Sequence, residues 1–186
     1  DDAYEETGET EGDANANDND TNAKVPVVGG WGRSSSTYEE KQQFVFTHIE
    51  DWWKRCGDDN EGWAEARGLV RDMRYNYAVQ AKKRRIKPDI VIEMERDGDI
   101  WGLVIEVDEF AHRRGKHYSW RAEEKRMQEL QTTLGVKLKI VRFNPDPTGA
   151  FPMGLEERTR MLLEHVARSM RSAPVRDLEV EYFLYD

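Results

Sequence analysis

The chain contains a single cysteine, Cys56, among its 186 residues. One thiol cannot form a disulfide within the chain, which predicts an intracellular protein in a reducing compartment. No run of about 18 apolar residues occurs, so the sequence predicts neither a membrane-spanning helix nor a membrane partner. The N-terminus lacks the basic and apolar segments of a signal peptide. Because no disulfide within the chain can stabilise the fold, a hydrophobic core must do so.

Positive charge is missing from the first part of the chain. Residues 1–23 contain nine acidic residues and no lysine or arginine. Because the whole chain has a net charge of −9, the remainder is close to neutral. Residues 1–30 also have almost no apolar content, which predicts a disordered acidic tail. Residues 31–186 hold most of the aromatic residues and are long enough for one domain.

The stretch 85–112 is typical of a β-hairpin. In residues 89–94 apolar side chains alternate with other residues, and in residues 100–108 both faces are mostly apolar until the end. Asp97-Gly98 between them is a tight-turn signal. The second strand is therefore predicted to be central in a sheet and covered on both sides.

Three carboxylates belong to this hairpin. Glu106 and Asp108 share one face at the end of the second strand, and Asp89 begins the first strand. Buried carboxylates need a partner because an unpaired charge costs several kcal/mol, and Mg²⁺ with its oxygen ligands is one such partner. In the alternative interpretation, Glu106 and Asp108 lie at an exposed strand end and form salt bridges with Arg113, Arg114 or Lys116.

Helical and strand patterns continue on both sides of the hairpin. Amphipathic or capped helices are predicted over residues 38–56, 61–67, 119–134 and 156–170, and further strands over residues 69–79, 139–143 and 178–185. This order predicts an α/β fold with a mixed central β-sheet flanked by helices.

The acidic residues stand in an ordered motif. Pro88-Asp89 at the start of one strand, followed by Glu106-Val107-Asp108 at the end of the next, resembles the PD-(D/E)XK (restriction-endonuclease-like) nuclease superfamily. The run EVDEFAH, then Tyr118, Glu123, Lys125-Arg126 and KIVRFNPD, is similar to its very-short-patch-repair-like branch and to uncharacterised proteins of large DNA viruses. The resemblance covers roughly residues 84–146.

This resemblance implies a metal-dependent endonuclease that hydrolyses phosphodiester bonds, with Mg²⁺ (or Mn²⁺) as cofactor and with DNA favoured over RNA as partner. It implies that Asp89 and Glu106 are metal ligands, with the Val107 carbonyl as a third. Asp108 stands where the common motif has a lysine, so it departs from the pattern. An aspartate there could bind a second cation or act as a base.

Further roles also follow from the resemblance. His112 is implied as a catalytic residue that protonates the leaving oxygen and offsets the missing lysine. Superfamily members place a glutamate from the first helix at the metal, which here is Glu40. Three residues are implied to orient the ligands: Tyr118, Glu123 and Arg126.

Basic residues lie on both sides of the acidic motif. Those expected to contact nucleic-acid phosphates are Lys82, Lys83, Arg84, Arg85, Lys87, Arg113, Arg114 and Lys116. Solvated loops are the alternative interpretation of these clusters. The missing lysine also leaves open a catalytically inactive nuclease fold that only binds nucleic acid. A small-molecule Mg²⁺ enzyme is disfavoured because the chain has no glycine-rich phosphate loop.

Overall fold

The computed structural model describes residues 38–55, 61–82, 84–108 and 119–185. These residues belong to one compact unit that spans Ser36–Asp186. The predicted acidic tail, residues 1–30, lies outside them. The elements in chain order are α1 (Tyr38–Arg55), α2 (Glu61–Gly68), β1 (Val70–Tyr75), β2 (Val79–Gln80), β3 (Arg85–Ile86), β4 (Ile90–Arg96), β5 (Asp99–Val107), α3 (Trp120–Leu134), β6 (Lys137–Phe143), α4 (Leu155–Met170) and β7 (Leu178–Phe183).

Five strands form a mixed sheet in the order β1-β4-β5-β6-β7. The β1–β4 and β4–β5 pairs are antiparallel, and the β5–β6 and β6–β7 pairs are parallel. The predicted α/β class with a mixed central sheet flanked by helices is therefore confirmed. The turn between β4 and β5 also forms as predicted, since Asp97 and Gly98 both adopt positive φ (54° and 88°).

Strand β5 lies in the middle of the sheet and is covered on both faces. On one face Trp101, Leu103, Ile105 and Val107 join a core with α1, α2 and α4. On the other face Val104 packs in a second core with Met127 and Leu130 of α3. The prediction that this strand is central and buried on both sides is confirmed. Glu106 lies on the α3 face, in phase with Val104, because alternate residues of a strand share a face.

Helix α3 begins and ends at the residues expected from its sequence. Ser119 is the N-cap, and its side chain accepts a hydrogen bond from the backbone N–H of Ala122. Gly135 ends the helix with φ of 70°, and its N–H donates to the Gln131 carbonyl. The ion pair between Arg126 and Glu106 places this helix beside the end of β5.

The segment between β1 and β4 differs from its prediction. Residues 69–79 do not form one strand, because β1 ends at Tyr75 and Asn76 turns the chain with a positive φ of 50°. Strands β2 and β3 instead pair antiparallel as a separate two-stranded sheet. Lys82, Arg84 and Arg85 therefore lie in and beside a small hairpin.

None of the helices in the described ranges is long and apolar enough to cross a lipid bilayer.

Candidate metal and nucleic-acid site

The carboxyl ends of β5, β6 and β7 meet at one edge of the sheet, together with the start of β4. The register pairs Ile105 with Ile90 and Val107 with Phe143, and Phe143 in turn with Phe183. Ligands in open α/β sheets bind outside the carboxyl ends of the parallel strands. The polar residues next to these strand ends therefore define the candidate site.

Asp89 precedes β4 and is buried, with 5% of its surface exposed. Its Oδ2 accepts a hydrogen bond from the backbone N–H of Val107 at 2.7 Å. Burial raises the pKa of Asp89 to about 6, and the hydrogen bond from Val107 opposes this rise. The carboxyl group is thus held against the end of β5 in a place that disfavours its charge.

Glu106 is as buried as Asp89. Its Oε1 lies 2.9 Å from Nη2 of Arg126 on α3, as an ion pair. The same oxygen is inaccessible to solvent and has no hydrogen bond of good geometry within the described residues. Burial raises the pKa of Glu106 to about 8, Arg126 opposes the rise, and Asp89 and Asp108 add to it. Glu106 therefore has an oxygen that its protein neighbours satisfy incompletely.

Asp108 is bound on two sides by other side chains. Arg142 of β6 donates from Nε to Oδ2 at 2.5 Å and from Nη2 to Oδ1 at 2.8 Å, and the Tyr185 hydroxyl also donates to Oδ2. Glu123 of α3 joins the two arginines, because it lies 3.1 Å from Arg126 and 3.3 Å from Arg142. One network of charged side chains thus extends from α3 to the end of β7.

The network holds more negative than positive charge. When all four of its carboxylates are ionised (Asp89, Glu106, Asp108 and Glu123), they exceed its two guanidinium groups (Arg126 and Arg142) by two negative charges. Lys87 interacts with Asp89 electrostatically, but its side chain is exposed. A divalent cation has the charge that would balance this excess.

The contacts of Glu106 and Asp108 can be compared with the two interpretations of the sequence, metal binding and salt bridges. Salt bridges do form, but with Arg126 and Arg142; Arg113, Arg114 and Lys116 lie outside the described residues. No group of three or more His, Cys, Asp or Glu side chains within the described ranges is arranged to hold a metal ion. Metal binding by Asp89, Glu106 and Asp108 stays a prediction.

The remaining predicted residues divide into two groups. Glu123 and Arg126 contact the carboxylate network directly. Glu40 is exposed in the first turn of α1, next to Lys41, which reaches Asp146 beyond the end of β6 at 2.8 Å. The predicted role of Glu40 at the metal stays a prediction. Two further predicted residues, His112 and Tyr118, lie outside the described residues.

The basic residues that precede β4 are exposed. These are Lys82, Arg84, Arg85 and Lys87; Lys83 is outside the described residues. The small hairpin packs against α3 through Val79, Ala81 and Ile86, and Arg84 also donates to Glu129 on that helix at 2.7 Å. The hairpin therefore presents cations on the same side of the sheet as α3.

Sequence reasoning overlooked Arg142 and Arg158. Arg142 shares a face with Leu138 and Ile140, and an arginine in phase with buried apolar residues would have predicted a buried ion pair. Arg158 of α4 is fully buried and donates to the carbonyl groups of Asn144, Phe151 and Leu184. It joins the segments that follow β6 and β7, next to Tyr185.

Comparison with known proteins found no matching family model, no matching curated protein and no matching solved structure.

Proposed function

We propose that this protein is a divalent-metal-dependent endonuclease that hydrolyses phosphodiester bonds in nucleic acid, with DNA favoured over RNA. The observation that carries the proposal is the pair of buried carboxylates, Asp89 and Glu106, at the carboxyl edge of the sheet. Burying two acids side by side destabilises a fold, so their presence calls for a ligand that offsets the cost. The proposal includes a restriction-endonuclease-like topology for the hairpin, α3 and β6.

The site's residues fit a hard divalent cation. All the available ligand atoms are oxygens, which Mg²⁺ and Mn²⁺ prefer. Glu106 Oε1 is buried without a hydrogen bond of good geometry, and the network has an excess of negative charge. Asp89, Glu106 and the Val107 carbonyl would hold the ion. When bound, it would lower the pKa of a coordinated water and neutralise charge on the scissile phosphate.

Two arginines would provide the positive charge that a lysine supplies in the common motif. Arg126 approaches Glu106 from α3, and Arg142 is held on Asp108 from β6. The Arg126 guanidinium is suited to a phosphate oxygen, because planar N–H groups match two acceptors, whereas Arg142 is buried and its three nitrogens contact Asp108 and Glu123. In this proposal Asp108 orients Arg142, and His112 protonates the leaving oxygen.

The exposed cations of the small hairpin would bind other phosphates of the nucleic-acid strand whose scissile phosphate lies at the metal. Lys82, Arg84, Arg85 and Lys87 precede the first carboxylate in sequence and are exposed, and Arg84 also donates to Glu129 of α3. Contacts of this kind add affinity without reading sequence. They would allow a chain whose net charge is negative to bind nucleic acid.

A second candidate is a nuclease fold that binds nucleic acid without cleaving it. The contacts of Asp108 favour this candidate, because Arg142 and Tyr185 satisfy its carboxylate without any metal. An enzyme and a binding module would share the phosphate contacts and differ only in metal-dependent cleavage.

The test is incubation of the purified chain with plasmid DNA, single-stranded DNA and RNA in the presence of Mg²⁺, Mn²⁺ or EDTA. The variants are Asp89→Asn and Glu106→Gln, and the matched control is Glu164→Gln, an exposed glutamate on α4. We expect cleavage by the wild type and the control with metal, and none by the site variants. Binding without cleavage under either metal would favour the binding module, and cleavage by Glu106→Gln would contradict both the site and the mechanism.

A further inference from the structure

Two large aromatic side chains lie exposed beside the carboxylate network. Trp120, the first residue of α3, is 56% exposed, and Tyr182 of β7 is 38% exposed. Their rings meet edge to face, with centroids 5.4 Å apart and an interplanar angle of 71°. Single exposed aromatic residues are common on protein surfaces, but an adjoining pair is a larger apolar patch. This pair therefore needs an explanation.

The pair continues into the site through a third ring. Tyr185 contacts Tyr182 edge to face, with centroids 5.3 Å apart, and its hydroxyl donates to Asp108. We name Trp120, Tyr182 and Tyr185 the aromatic platform. Arg142, which holds Asp108, lies with its Cζ 5.8 Å from the centre of the Tyr182 ring. The platform and the charged network are thus in direct contact.

Exposed cations and an exposed carboxylate lie along α3 near the platform. Arg121 follows Trp120, and Lys125 lies one turn farther along α3; both side chains are exposed. Glu124 is exposed between them and reduces the local positive charge. Aromatic surfaces interleaved with cations are the features by which proteins bind single-stranded nucleic acid, because every base offers a π-face and every nucleotide a phosphate.

We infer that the aromatic platform stacks an unpaired base of the nucleic-acid strand whose phosphate enters the carboxylate site. In an intact duplex both faces of an internal base are covered by its neighbours, so a side chain reaches a base face only where the base is unpaired, terminal or extruded. The preferred substrate is therefore single-stranded nucleic acid, or a duplex with an unpaired nucleotide beside the scissile bond. This inference rests on the proposed function.

The test compares two labelled oligonucleotides of equal length, one with natural bases and one with abasic sites at every position. Fluorescence anisotropy in EDTA measures binding without cleavage. The variants are Trp120→Ala, Tyr182→Ala and Trp120→Phe. The control is Ile100→Ala, since Ile100 is 38% exposed but lies at the opposite end of β5.

We expect Trp120→Ala to weaken binding of the natural strand by roughly 5- to 150-fold, the range measured for loss of a stacked base. Binding of the abasic strand should stay the same, because its phosphates are unchanged. Trp120→Phe should retain most of the affinity, and Ile100→Ala all of it. The slope of affinity against salt should be equal in wild type and Trp120→Ala, since no phosphate contact is lost.

The outcomes separate this inference from the proposed function. If Trp120→Ala weakens the natural and abasic strands equally, or neither strand, the platform does not stack bases, whatever the cleavage assay shows. If it selectively weakens the natural strand but no metal supports cleavage, the stacking site stands and the nuclease proposal fails. If the wild type binds neither strand, both fail. Circular dichroism melting of each variant shows whether the fold is intact.

Discussion

Asp89 and Val107 are joined by a 2.7 Å hydrogen bond from the backbone N–H of Val107 to the Asp89 carboxylate. This bond turns the carboxylate towards the end of β5, where Glu106 precedes Val107. Two acids from neighbouring strands are thereby fixed beside each other in a buried place. The stability of the protein should depend on how their charges are balanced.

Glu106→Gln should reduce the loss of stability that accompanies a rise in pH. The folded state raises the pKa of Glu106 from 4.5 to about 8, so it retains a proton that the unfolded chain releases between these pH values. Stability therefore falls as pH rises through this window, and glutamine cannot ionise. In EDTA we expect the variant to exceed wild type by roughly 2–4 kcal/mol at pH 8 and to equal it below pH 4.5. Urea unfolding at several pH values measures this; a constant difference across the range would contradict it.

Mg²⁺ should stabilise the wild type and not the site variants. A ligand that binds only the folded state adds about 2.7 kcal/mol at a concentration one hundred times its Kd. Asp89→Asn and Glu106→Gln remove a proposed ligand each, so their melting temperatures should not respond to Mg²⁺. Thermal unfolding with increasing Mg²⁺ measures the effect, and the exposed-site variant Glu164→Gln should respond as the wild type does. An equal response in all variants would place the ion elsewhere.

Arg142→Gln should destabilise the fold by about 3–5 kcal/mol, because it leaves the Asp108 carboxylate without its bidentate partner. The double variant Arg142→Gln with Asp108→Asn should lose less unfolding free energy than the sum of the losses in the two single variants. Denaturant unfolding of all four proteins gives the coupling free energy. Strict additivity would show that the two side chains act independently.

Arg158→Met should destabilise the protein by roughly 3 kcal/mol or more, since three buried carbonyl groups lose their donor. Arg160 lies two residues farther along α4 and is exposed, so Arg160→Met is the matched control and should leave the urea midpoint unchanged. Because Arg158 binds the Leu184 carbonyl, its loss should also shift Tyr185. A stable Arg158→Met variant would mean that water replaces the guanidinium.

His112→Ala should lower the cleavage rate by about 10²- to 10⁴-fold if His112 is the general acid. Its binding of uncleaved DNA and its melting temperature should stay the same. Single-turnover kinetics on a labelled single-stranded oligonucleotide measures the rate, with His165→Ala as a control, because His165 lies on α4 and contacts Glu181 and Phe183. An unchanged rate would assign the proton transfer to another group.

The sequence by itself determined the sheet's central hairpin and the elements around it. Alternation in residues 89–94, the Asp97-Gly98 turn and the two apolar faces of residues 100–107 are local signals, and the chain forms β4 and β5 where they predict. Ser119 and Gly135 bounded α3 for the same reason, because capping depends on neighbouring residues alone. The nearness of Asp89 and Glu106 followed from the pairing of the two strands.

Only the tertiary structure decided which partners the carboxylates have. Arg126 reaches Glu106 from a helix, and Arg142 reaches Asp108 from the next strand, 34 residues along the chain. Such pairings depend on strand order and helix placement, which no local pattern encodes. The contact between Trp120 and Tyr182 likewise depends on β7 lying next to β6. Tyr182 is far from Trp120 in the sequence but lies beside it in the fold. A local signal acts within a few residues, whereas this site is assembled from segments that the fold alone brings together.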